Sequence, residues 1–387
     1  MDPFDPVPPA YGTGSLAEVM PGVLAALGVP GTADPLRLGD RLDGVRRVAL
    51  LLVDGLGYLQ LPVAARVAPT LAAIAAGRLG SARPVTAAFP STTPVSLATV
   101  GTGAPPGAHG LMGFTVRVPG TDRVLNHIQW DADPEPSRWQ PLPTRFAAAA
   151  AAGVATSVVS RPEFAGSGLT VSAYRGADYR PAADATTLAS TMLDVLATVP
   201  APALVYGYHP DLDRAGHMFG VGSTRWCRAV RDVDRLVTRL LDGLPDGTAL
   251  LVTADHGQLD VPAAHRFDLD ADPQLRAGVE VVAGEPRVRY LHTVPGAADD
   301  VIATWREVLA GAARVLHRDE AVAEGWFGPV TPEHRRRLGD VVVACHDRYA
   351  VLATAHEPET VSKLVAYHGS YTAAEMLVPL LVVRSGE

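Results

Sequence analysis

VALLLVDGLG, residues Val48 to Gly57, decides the fold. An unbroken apolar run without alternation suits a strand buried on both faces, and Asp54-Gly55 then turns the chain. Two later stretches repeat the pattern. Ala203 to Tyr208 (ALVYGY) runs into HPDLDRAGH, and Ala249 to Thr253 (ALLVT) runs into Ala254-Asp255-His256-Gly257. Between them, from Thr224 to Leu244, Cys227, Val230, Val233, Val237, Leu240 and Leu241 recur near helical spacing. Phe146 to Gly153 (FAAAAAAG) reads as a helix closed by a glycine cap. Buried strands alternating with helices predict an α/β protein with a mostly parallel central sheet flanked by helices.

From about His265 to Ala355 the texture changes. Arg287 to Leu291 and Asp340 to Ala344 look like strands around helical segments, before the chain returns to the main sheet through Met376 to Val383. The expected division is a catalytic core of residues 1–264 and 356–387 and an inserted α+β lobe of residues 265–355. At 387 residues with 48% hydrophobic and 19% charged content, the chain has an ordinary globular balance and room for a large core. The net charge of -8 argues against nucleic-acid polymers and anionic membranes as partners. Cys227 and Cys345 stand far apart without metal-site spacing, and read as inert thiols. No basic, apolar leader and no membrane-length apolar run is present, so a cytoplasmic location is expected. Nothing fixes an oligomeric state.

Polar residues cluster where the predicted strands end, and in open α/β sheets that edge binds ligands. Asp54, Asp213, His217, Asp255, His256 and His368 each sit in such a turn or beside a strand end. Taken singly, an Asp after a strand is more often a helix cap or turn former, and a lone His is usually a surface or hydrogen-bonded core residue. Together they form an inventory of zinc-type ligands, with Asp213 and His217 four apart and Asp255-His256 back to back. A seventh residue completes the set. In FPSTTPVSLATVGTG, Phe89 to Gly103, Pro94 reads as the first helical residue and Thr93 as its N-cap. A hydroxyl at a positive helix end is placed to meet an anion.

These pieces resemble the type I phosphodiesterase and nucleotide pyrophosphatase branch of the alkaline phosphatase superfamily. The matching motifs are VDGLG around Asp54, the Thr93 segment, PPGAHG from Pro105 to Gly110, DLDRAGH ending at His217, TADHG around Asp255, and YHG at His368. They occur in the family's order. The resemblance implies two divalent metal ions, zinc foremost with manganese or iron as alternatives. Asp54, Asp255, His256 and the Thr93 oxygen would hold one, and Asp213, His217 and His368 the other. It also implies that Thr93, not Thr92, is the nucleophile.

The chemistry is consistent with that assignment. A threonine hydroxyl is a weak nucleophile at neutral pH, and a bound cation lowers the pKa of an oxygen ligand. Two divalent ions against three aspartates (+4 minus 3) leave about +1, which suits an anionic phosphoryl group. The chain departs from the family pattern twice. Pro94 stands where an aromatic residue commonly stacks on a nucleobase, and Phe114 stands where an asparagine donates to phosphate. Asn126 is a candidate replacement donor, and Tyr208 a further pocket residue, with Tyr206, His209, Trp130 and Lys363 behind it. The expected function is hydrolysis of phosphate diesters or pyrophosphates through a covalent threonine-phosphoryl intermediate, on a small-molecule substrate. The same core would also serve monoester, phosphonate or sulfate-ester hydrolysis, or phosphomutase chemistry.

Overall fold

In the computed structural model, which describes residues 1–130 and 132–387, the apolar runs become the centre of a seven-stranded sheet. Its strands are β1 (Arg47–Val53), β2 (Ser81–Thr86), β3 (Ala155–Ser160), β4 (Asp178–Pro181), β5 (Ala203–His209), β6 (Thr248–Thr253) and β7 (Leu377–Arg384). Their spatial order is β2-β7-β6-β1-β5-β3-β4. β1 pairs in parallel with both β5 and β6, β3 with β5 and β4, and β7 is antiparallel to β6 and β2. Every residue of β5 and β6 is buried, as unalternating apolar sequence requires when helices cover both faces. The mostly parallel α/β sheet read from the sequence is the fold observed.

The longest helix, Thr224–Gly243, turns Trp226, Val230, Val233, Val237 and Leu240 inward at helical spacing. No helix among the described residues is long and apolar enough to cross a membrane.

Strand direction positions the site. Asp54 follows the end of β1, Asp213 and His217 lie on the helix Asp211–Phe219 that follows β5, and Asp255 and His256 follow β6. The Thr93 segment follows β2, and His368 precedes the antiparallel β7, so both also reach that edge. A two-residue pairing, Ala366↔Asp260 and Tyr367↔Leu259, brings His368 beside the turn after β6.

The sequence placed Thr93 as the cap of its helix, and the structure moves the start by one residue. The helix is Thr93–Thr102 with Thr92 as cap, because the Thr92 carbonyl accepts the first helical bond, from Ser96 N at 3.0 Å. Pro94 is then the second helical residue, where its missing N–H still costs nothing.

Within residues 265–355, Val279–Glu285, Val288–Thr293, Ala313–His317 and Val341–Cys345 form a separate four-stranded antiparallel sheet. It has its own core, with Leu291, Trp305, Val315 and Val343 packed together. Arg266–Asp268 pairs in parallel with Ala350–Leu352, which ties the two ends of this stretch to each other.

Candidate metal and phosphoryl-transfer site

Three oxygen atoms surround Nε2 of the buried His256: Thr93 Oγ1 at 3.2 Å, Asp255 Oδ2 at 3.3 Å and Asp54 Oδ1 at 3.4 Å. Beside them, His217 Nε2 lies 3.3 Å from Asp213 Oδ2 and 3.2 Å from His368 Nε2, with His368 Nε2 3.8 Å from Asp213 Oδ1. The groups adjoin: the His256 and His368 rings stack at 3.5 Å, and Asp213 also lies within ligand-sharing reach of Asp54 and His256. The six ligand candidates and Thr93 therefore converge, although they span Asp54 to His368.

The donor atoms fit cations. An ion with bonds of about 2.0–2.1 Å and tetrahedral ligands sets neighbouring donors about 3.3 Å apart. Each histidine has its Nδ1–H committed to a backbone carbonyl: Gly257 O at 3.1 Å for His256, Ala366 O at 2.7 Å for His217 and Ser91 O at 2.8 Å for His368. That tautomer leaves a lone pair on every Nε2. His217 and His368 consequently turn two lone pairs toward each other, a contact that a cation between them makes favourable. The carboxylates are split in the same way. Asp54 Oδ2 accepts from the Tyr208 hydroxyl, and Asp255 Oδ1 accepts from Gly55 N at 3.1 Å and His256 N at 3.0 Å. Asp54 Oδ1 and Asp255 Oδ2, the carboxylate oxygens that face His256 Nε2, are buried without any hydrogen-bond partner.

Electrostatics points the same way. Burial, then the charges of Asp255 and Asp213, pushes the Asp54 carboxyl well above the usual range. Burial raises Asp213 too, against the lowering effect of His217. Burial and the neighbouring histidines hold His368 well below its ordinary value, and so neutral. Asp54 and Asp213 are thus unfavourable as anions until cations join them.

Thr92 and both histidines of the second group line a cavity of about 710 Å³. Phe114 and Asn126 line it as well, Phe114 just before the strand Thr115–Arg117 and Asn126 at the end of its antiparallel partner Val124–Asn126. Asn126 Oδ1 accepts from Ile128 N at 3.0 Å. Tyr208 takes a different place from the one expected. It is buried against Phe164, and its hydroxyl serves Asp54 rather than the cavity. Tyr206 bonds Tyr174, the Trp130 indole bonds Pro134 O, His209 is buried, and Lys363 pairs with Glu359 on the surface. None of these four lines the cavity.

Sequence reasoning missed the cavity's far wall. Glu285, Arg289 and Glu357 line it, with Arg289 fastened to Glu357 by two bonds of 2.6 and 2.8 Å. They belong to strands and loops that match no motif, so only their coming together in the fold identifies them.

The sequence profile of the type I phosphodiesterase / nucleotide pyrophosphatase family matches residues 48–371. No curated protein matches the chain. Among solved structures, an inactive form of mouse ectonucleotide pyrophosphatase/phosphodiesterase 5 in complex with AMP superposes with a TM-score of 0.70 at 18% identity, over 87% of this chain and 89% of that chain. The human protein of that name gives 0.68 at 18% identity, over 87% of each chain. Phosphonoacetate hydrolase from Sinorhizobium meliloti 1021, in complex with phosphonoacetate, gives 0.66 at 19% identity, over 87% of this chain and 89% of that chain. At such identities the likeness carries the fold, and the family rests on the profile match across most of the chain. The chain belongs to the type I phosphodiesterase / nucleotide pyrophosphatase family, a family of metal-dependent phosphoester hydrolases within the alkaline phosphatase superfamily.

Proposed function

We infer that this protein hydrolyses phosphate diesters or pyrophosphates, with Thr93 taking the phosphoryl group and water then releasing it. The observation that carries this reading is the meeting of Thr93 Oγ1, Asp54 Oδ1 and Asp255 Oδ2 around His256 Nε2 at 3.2–3.4 Å. Divalent cations held by this group and by Asp213, His217 and His368 would lower the pKa of oxygen ligands and offset the negative charge of the phosphoryl group. Zinc suits the mixed carboxylate and imidazole donors, and manganese or iron would also be accepted.

The chain's own part is placement. Thr93 stands in the first turn of its helix, where backbone N–H groups lack helical partners and favour an anion. The helix entrance is braced by its neighbours, since Ser91 N donates to Gly369 O at 2.8 Å and the Ser91 hydroxyl donates to Ser370 O at 2.6 Å. In the first step the Thr93 Oγ1–phosphorus bond forms as the bond to the leaving oxygen breaks. In the second, water forms the new bond and the threonine hydroxyl returns. The mouse relative's inactive form is named as a threonine-to-alanine variant, in keeping with a threonine nucleophile.

The charge balance of the cavity supports the diester reading over a monoester one. A monoester phosphoryl group carries nearly two charges at neutral pH and a diester one. Among the described residues one arginine lines the cavity, Arg289, and it is already held by Glu357. The test is kcat/KM for bis(p-nitrophenyl) phosphate against p-nitrophenyl phosphate, with Thr93→Ala and Thr93→Ser. The diester should lead, Thr93→Ala should bind metal without turnover, and Thr93→Ser should keep partial activity. A monoester lead, or full turnover by Thr93→Ala, contradicts the reading.

A further inference from the structure

Among the described residues four carboxylates line the cavity, Asp122, Glu280, Glu285 and Glu357, against one guanidinium, that of Arg289. Three of the four have cations. Glu357 holds Arg289, while Asp122 and Glu280 share Arg117 at 2.6 and 3.2 Å near the surface. Glu285 has no ion-pair partner among the described residues, although it is only 5% exposed. Its Oε2 accepts from Phe114 N at 3.2 Å, and its Oε1 is buried without a partner. The arginine two residues away in sequence offers no relief, because Arg287 is bound by two bonds, of 2.9 and 2.7 Å, to the equally buried Glu375. Glu285 also stands close to the site. A Cβ on Gly369, the residue after His368, would lie 2.8 Å from Glu285 Oε1.

A buried carboxyl without a partner is costly, and folded proteins seldom keep one unless something else completes it. We propose that Glu285 is a specificity residue whose carboxylate receives a primary ammonium group on the non-reacting arm of the phosphodiester substrate. The proposal rests on the diester reading above, and names the arm that accompanies the phosphoryl group. An ammonium supplies both the missing charge and a hydrogen-bond donor, whereas an anionic arm such as a further phosphate would face four carboxylates. Burial, the largest influence on Glu285, pushes its carboxyl up to about 8 in the absence of such a partner, and a bound cation reverses that push.

The test uses p-nitrophenyl phosphodiesters that differ only in the second arm: 2-aminoethyl, its N-acetylated form, and ethyl. A charge-assisted bond in a closed site should raise kcat/KM for the 2-aminoethyl ester about tenfold over the ethyl ester. Acetylating the amine should abolish that lead in the unaltered protein, and Glu285→Gln should abolish it with the amine intact. Equal rates on the 2-aminoethyl and ethyl esters, or a lead that survives in Glu285→Gln, overturns the proposal. Loss of all diester cleavage, bis(p-nitrophenyl) phosphate included, would instead fault the diester reading. Calorimetric titration with 2-aminoethyl phosphate against ethyl phosphate then still decides whether Glu285 selects the ammonium.

Discussion

Tyr208 shows how one hydroxyl orients a candidate metal ligand. By donating to Asp54 Oδ2 it leaves Oδ1 as the oxygen that turns toward His256. Partners behind a ligand commonly contribute 10–100-fold to metal affinity or activity. Tyr208→Phe should therefore lose about tenfold or more in metal affinity while folding normally, measured by competition with a chelating dye. Unchanged affinity would make Tyr208 a packing residue only. Glu285 gives a pH prediction with a definite sign. Its folded value, about 8, lies above the ordinary 4.5, so the folded protein holds a proton that the unfolded chain has released. The stability this gives is complete below about 4.5 and is lost as pH rises toward 8. In urea titrations without substrate, Glu285→Gln should gain on the unaltered protein across that window, and a constant difference would contradict the shift. The six candidate ligands were legible in the sequence because each sits in a compact motif at a strand end. Tyr208 and Glu285 were not, since neither role has a local pattern. Tyr208 was read as a pocket residue because a tyrosine at a strand end looks the same whether it faces substrate or a neighbouring carboxylate.

At the scale of elements, the glycines of VDGLG and TADHG let two turns meet. A Cβ on Gly257 would fall 2.0 Å from the Ala374 carbonyl oxygen and 3.0 Å from Gly57 Cα. Side-chain volume here would separate the turn carrying Asp255 and His256 from the one carrying Asp54. Gly257→Ala should lower stability by about 1–3 kcal/mol, the usual cost of overpacking, and should weaken metal binding as well. An unchanged urea midpoint would show that the turns have room to part. Strands and helices were readable from apolar period alone, because β1, β5 and β6 are buried on both faces and the helix Thr224–Gly243 has one inward stripe. The start of the Thr93 helix was displaced by one residue, since a proline fits either of its first two positions. The pairing of Leu259–Asp260 with Ala366–Tyr367 is too short to leave any period, yet it delivers His368.

For the whole molecule, the sheet is a frame that makes seven distant side chains neighbours, and the cavity beside them is completed by residues from the segments 280–289 and 353–367. The first part was legible and the second was not, because cavity walls need only shape and scattered polar groups. Comparing the protein with and without added metal should show how far the frame depends on cations at the proposed site. In the metal-free protein Asp54 and Asp213 have raised values, so they keep protons that the unfolded chain gives up. Stability without metal should fall as pH rises through those values, and added zinc should cancel much of the slope. Equal slopes with zinc and with a chelator would contradict cation binding at these carboxylates. The most direct measurement is an anomalous-difference map from crystals of the zinc-loaded protein. Two adjacent peaks are expected, one bonded to Asp54, Asp255, His256 and Thr93 Oγ1, the other to Asp213, His217 and His368. A map with no peak touching Thr93 Oγ1, or with the metal bound elsewhere, would contradict the assignment of Thr93 as the metal-activated nucleophile.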